Sequence, residues 1–132
     1  MIVVDASVLS NALGDGQVAG DIARSAISGE SLVAPDLVDL ETLSVFRKRW
    51  LGRDLTDAEM AMGIDALCEL EMVRYPALPL LPRAFELRHN LTPYDAAYVA
   101  LAELLECPLV TADTRLVNAS GPRCKFRQVA SE

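Results

Sequence analysis

Met1-Ile2-Val3-Val4-Asp5-Ala6-Ser7 opens the chain with three β-branched apolar residues that run straight into an acid. An apolar run without alternation reads as a strand covered on both faces, the habit of parallel sheets. Such a strand tolerates an ionised acid only at its end, because burying an unpaired charge is costly. Asp5 therefore marks a carboxyl end. Leu109-Val110-Thr111-Ala112-Asp113 repeats the pattern late in the chain. Ligands of open parallel sheets bind outside the carboxyl ends of the strands. Two acids placed there are candidate site residues, although each alone reads first as the cap of the helix or turn that follows it.

Between these strands the pattern changes period. Gly14 and Gly16 mark a turn, and Val18, Ile22 and Ala26 recur at helical spacing up to Ile27. Ser31 to Ala34 is a second strand, closed by Pro35. A helix follows from Asp36 to about Arg49, with Leu37, Leu40 and Val45 inward and Asp36 as its cap. Thr56-Asp57-Ala58-Glu59 is a capping box that starts another helix, with a stripe of Met60, Ile64 and Leu67. Met72 to Tyr75 reads as a strand, the proline-punctuated stretch 76–82 as a loop, and 83–89 as a short helix. Thr92-Pro93-Tyr94-Asp95 starts a helix through Ala96, Val99, Ala100 and Leu104. Phe126 to Val129 reads as an edge strand. Strands that alternate with helices predict an α/β fold: a three-layer α/β/α sandwich with a mainly parallel central sheet, in one domain spanning 1–132.

The 52% apolar content excludes disorder and calls for a large core or an apolar subunit interface. Three cysteines without a C-x-x-C pair argue against a disulfide framework or zinc knuckle, and read as small buried hydrophobes in a reducing cytoplasm. The N-terminus lacks the basic region of a signal peptide, and no apolar run is long enough to span a bilayer. A net charge of −7 speaks against nucleic acid, yet eight of the 12 basic residues fall in two windows. These are Arg47, Lys48, Arg49 and Arg53, and Arg115, Arg123, Lys125 and Arg127. They are either phosphate-holding patches or solvated faces.

Two further acids stand out. On a helix, Glu41 neighbours Leu37, Val38, Ser44 and Val45, so it points into the fold or a cleft. The alternative is a buried acid paired with an arginine. Asp95 falls at the third helical position after Thr92, where an acid also serves as a cap. Four acids converging on one sheet edge suit a hard divalent cation, Mg²⁺ or Mn²⁺. Such a site hydrolyses phosphodiesters without a His or Ser nucleophile. The lone His89 reads as a surface residue.

Four blocks resemble PIN-domain proteins. They are the opening Met1–Ser7, the Pro35–Glu41 segment, the Thr92–Glu103 helix and the Leu109–Leu116 strand and turn. They stand in family order and extend over nearly the whole chain. Compact length and block style are similar to VapC-type toxins. The resemblance implies that Asp5, Glu41, Asp95 and Asp113 bind Mg²⁺ or Mn²⁺ and carry catalysis. It assigns Ser7 and Thr111 as hydroxyls that orient the site, Asn11 as a polar neighbour, and Arg115 as a phosphate contact. Ser7 and Thr111 read equally as turn and strand residues, and Arg115 as a surface arginine. The resemblance further implies an endoribonuclease toxin cutting RNA, a homodimer, a cognate antitoxin and a cytoplasmic location. The segment 50–82 matches no block.

The rivals fit less well. A haloacid-dehalogenase phosphatase needs an acid two residues after the first, where this chain has Ser7. A response-regulator receiver needs an acidic pair after the first strand, and Asp5 has no acidic neighbour. A non-catalytic PIN-type binding module and a housekeeping RNA-processing nuclease stay open alternatives.

Overall fold

A computed structural model describes residues 1–131. Its centre is a five-stranded sheet in the order β3-β2-β1-β4-β5, parallel throughout. The strands are β1 (Ile2–Val4), β2 (Leu32–Pro35), β3 (Val73–Tyr75), β4 (Leu109–Thr111) and β5 (Phe126–Gln128). β1, β2 and β4 are buried along their whole length, as their unbroken apolar runs require. From β1 the chain winds outward to β2 and β3, then returns to the other side of β1 for β4 and β5. The order therefore reverses between β1 and β4, which makes their carboxyl ends the switch point of the sheet.

Helices cover both faces and complete the α/β/α sandwich. α1 (Ala6–Gly14) packs on α2 (Val18–Ile27), α3 (Val38–Leu51) and α4 (Asp57–Glu69). α6 (Pro93–Leu105) packs against β1, β2 and β4, joined by α5 (Leu81–Glu86). Ala96 to Ala102 of α6 are all buried, and their alanines let the helix lie close on the sheet. Phe46 anchors α3 fully buried, against Gly14 of α1 and Gly63 of α4. Among the described residues no helix is long and apolar enough to cross a membrane.

Several expectations change. Residues 6–14, where only a turn at Gly14 and Gly16 was foreseen, form α1, and Asp5 caps it. Leu40 was expected inward and is 73% exposed, because it lies across α3 from the buried stripe of Val38, Thr42 and Phe46. Asp36 is no cap: α3 begins two residues later without a side-chain cap bond. The stretch 76–82 is not all loop: Leu78–Leu80 form a 3₁₀ turn that runs into α5. Prolines are tolerated there because helix-starting amides need no partner. Cys68 is exposed, and Cys107 and Cys124 are only half-buried. A four-residue helix, α7 (Thr114–Val117), follows β4.

Candidate active site

Asp5 sits at the switch point and is 6% exposed. Its Oδ1 accepts from Ser7 Oγ at 2.6 Å and from the Val8 amide at 3.2 Å, the latter capping α1. Its Oδ2 accepts from Thr111 Oγ1, the last residue of β4. Both hydroxyls are used twice. Ser7 Oγ accepts from the Ala112 amide and Thr111 Oγ1 from the Asp113 amide, each at 3.0 Å. Ser7 and Thr111 thus tie the ends of β1 and β4 together and fix both Asp5 oxygens. Burial raises the Asp5 carboxyl from 3.8 to about 6. Its hydrogen bonds oppose this, and the nearby Asp95 adds to it.

Asp113 caps α7, accepting from the Arg115 amide at 2.9 Å and the Leu116 amide at 3.3 Å. Asp95 arrives from α6. Thr92 Oγ1 caps α6 by accepting from the Asp95 amide at 3.2 Å. The reciprocal bond, which Glu59 makes to the Thr56 amide at 2.9 Å, has no counterpart here. The Asp95 carboxylate faces the cavity shared with Asp5 and Asp113. Burial raises its pKa, Asp113 adds to the rise, and Arg115 opposes it.

Glu41 comes from α3 and is held by Tyr98, whose hydroxyl donates to Oε1 at 2.7 Å. Its pKa is also raised, by burial and then by Asp95, against the Tyr98 bond. Tyr98 is 2% exposed, and burial beside Glu41 pushes its own pKa well up. Sequence reasoning passed over Tyr98. The available signal was a hydroxyl three residues after Asp95, on the same face of α6.

The four acids line one cavity of about 280 Å³, with Ser7, Tyr98, Ser44 and Val45 in its walls. A larger cavity of about 550 Å³ opens at the opposite edge, beside Cys107, Pro108, Cys124 and Lys125. It mixes acids and bases, whereas the smaller one gathers carboxylates from four separate elements. Among the described residues, no three such side chains already close around one ion-sized point. The acids ring a cavity instead. An all-oxygen set with three raised carboxyls still fits a hard divalent cation, which favours such donors and relieves their mutual repulsion.

Two residues stand apart from this cavity. Arg115 is an exposed rim residue, 3.5 Å from Asp113 and 3.7 Å from Asp95. Asn11 does not line the cavity, because a helical turn of about 5.4 Å carries it outward from Ser7.

Residues 2–122 match the PIN domain family. The chain is 44% identical to Ribonuclease VapC9 of Mycobacterium tuberculosis over 130 residues, 98% of each chain. It is 37% identical to Ribonuclease VapC1 of the same organism over 128 residues, 96% of each chain. A crystal structure of VapBC2 from Rickettsia felis, bound to a DNA fragment from their promoter, matches with a TM-score of 0.69. That match covers 98% of this chain and 99% of the other at 12% identity, a likeness of fold alone. The chain belongs to the PIN-domain family and, within it, to the VapC type.

Proposed function

We propose that this protein is a Mg²⁺- or Mn²⁺-dependent endoribonuclease, the toxin of a toxin–antitoxin pair acting in the cytoplasm. The observation that carries this is the gathering of Asp5, Glu41, Asp95 and Asp113 around one cavity at the switch point. Identity to two ribonucleases over nearly the full length supports RNA as the substrate.

In this reading all four acids hold the cation. Once bound, it supplies charge neutralisation for a phosphate and a lowered pKa for water. The protein's own part is orientation. Ser7 and Thr111 lock Asp5, and Tyr98 locks Glu41, so neither carboxylate must reorganise when substrate arrives. Arg115 stands at the rim, free enough to leave its acids for an RNA phosphate. The overall change is hydrolysis: water adds to phosphorus and the bond to the 3′ oxygen breaks.

Membership of the VapC type supports a cognate antitoxin, which in this reading covers the site. Exposed Leu40, Leu43, Leu78, Leu81 and Phe85 supply apolar surface for that partner and for a homodimer.

The test is cleavage of total cellular RNA by the purified protein, with Mg²⁺ or Mn²⁺ and with EDTA, beside Asp5→Asn. Discrete metal-dependent fragments that vanish in the variant are expected. A folded protein that cuts nothing would make the chain a PIN-type binding module.

A further inference from the structure

Of the two basic windows in the sequence, the fold leaves one exposed residue without an acid partner on a helix stripe that lines the acids' cavity. In the second window, Arg127 pairs with Glu30 at 3.1 Å. Arg123 and Lys125 border the cavity at the far edge of the sheet. Arg115 faces Asp95 and Asp113. In the first window, Arg49 turns to Asp54 at 3.1 Å and to the Gly14 carbonyl at 3.3 Å. Arg53 lies past the end of α3. Arg47 is on the outward side of α3, with exposed Leu40 and Leu43.

Lys48 differs. Glu41, Ser44 and Val45 line the cavity from α3, and Lys48 continues that stripe at helical spacing. It lies two turns beyond Glu41, about 10 Å along the axis. It is exposed and pairs with no acid among the described residues.

α1 runs beside α3 in the same sense. Ala6 and Ser7 share the cavity with Glu41, while Gly14 meets Phe46 and Arg49 further out. Asn11, one turn past Ser7, continues the α1 stripe. The two packed helices therefore lead out of the acid-lined cavity side by side, and the surface along Asn11 and Lys48 is the track open to a substrate strand. A polar amide stands on one side and an unpaired ammonium on the other.

We propose that this track carries the single-stranded RNA away from the cut, with Lys48 holding a backbone phosphate that flanks the scissile one. The inference rests on the ribonuclease reading and adds to it a path for the strand and a phosphate-binding residue. Charge complementarity selects the occupant. An acidic cavity repels a polyanion unless a cation fills it and a base beside it compensates. A lysine suits this role because its point charge meets a phosphate without demanding base identity.

The experiment measures binding of a fluorescent oligouridylate in Mg²⁺ against salt concentration, on an Asp113→Asn background that blocks cleavage. One lost phosphate contact makes the log–log salt slope shallower by about 0.7 for a single strand. That change is expected for Lys48→Gln and not for Lys125→Gln. In otherwise unaltered protein, Lys48→Gln is expected to raise KM with kcat unchanged and the thermal melt unmoved. An unchanged slope with RNA still bound and cut overturns this inference alone. Loss of antitoxin capture with no change in RNA binding also overturns it and makes Lys48 a protein contact. No RNA binding or cleavage by the parent protein overturns the ribonuclease reading beneath it.

Discussion

Asp5→Asn should stabilise the metal-free protein near neutral pH while destroying its activity. The Asp5 carboxyl rises from 3.8 to about 6, chiefly through burial. A rise of about two pKa units corresponds to about 3 kcal/mol. The sign follows from linkage. The native state holds this proton more tightly than the unfolded chain does. The resulting stability is full below about pH 4 and is lost as pH rises through about 6. Above that, an ionised Asp5 costs the metal-free fold up to about 3 kcal/mol. Asparagine removes the charge but brings a donor where the carboxylate accepted from Ser7 or Thr111. Thr111 Oγ1 already accepts from the Asp113 amide, so its own proton loses its partner. That costs about 1–2 kcal/mol. The net gain is about 1–2 kcal/mol, a rise of about 3–8 °C in melting temperature for a chain of this size. Thermal melts in EDTA at pH 7.5 and 4.5 test it. The variant should lead at the higher pH and trail at the lower one. If it trails equally at both, lost hydrogen bonds outweigh the buried charge and the reasoning fails.

Tyr98→Phe leaves the half-buried Glu41 without its donor, which should cost about 1 kcal/mol in a denaturant titration. The Glu41 carboxyl should titrate higher still by NMR, because the Tyr98 bond now holds it down; an unmoved titration would show that the bond does not form in solution. Gly20→Ala should destabilise by about 2 kcal/mol or more, because its Cβ would run into the backbone carbonyl of Asp15, which cannot swing aside. An unchanged melt would mean that the turn between α1 and α2 relaxes freely.

The parts legible in the sequence were those that local chemistry decides. β1 and β4 announced themselves because strands buried on both faces need unbroken apolar runs, and such runs leave an acid only their ends. Glu41 was legible because an acid among Leu37, Val38 and Val45 is out of place on a solvated face. Other features depended on tertiary contacts. Leu40 looks like core until Phe46, packed against Gly14 and Gly63, turns the other side of α3 inward. α1 was hidden because its N-cap is Asp5, a residue whose other oxygen belongs to the site. Tyr98 was hidden because an aromatic in an alanine-rich buried helix reads as packing. Its hydroxyl matters only because α3 brings Glu41 within 2.7 Å. Asn11 was read from the resemblance as a polar neighbour of the site, and it stands one helical turn beyond Ser7, outside the cavity lining.

That the four acids form one divalent-cation site is tested most directly by Mn²⁺ titration calorimetry on wild type, Glu41→Gln, Asp95→Asn and Asp113→Asn, with folding checked by circular dichroism. Wild type should bind Mn²⁺ with release of protons from the raised carboxyls, and each folded variant should lose at least about tenfold in affinity. Equal Mn²⁺ affinity in wild type and all three variants would contradict a shared site.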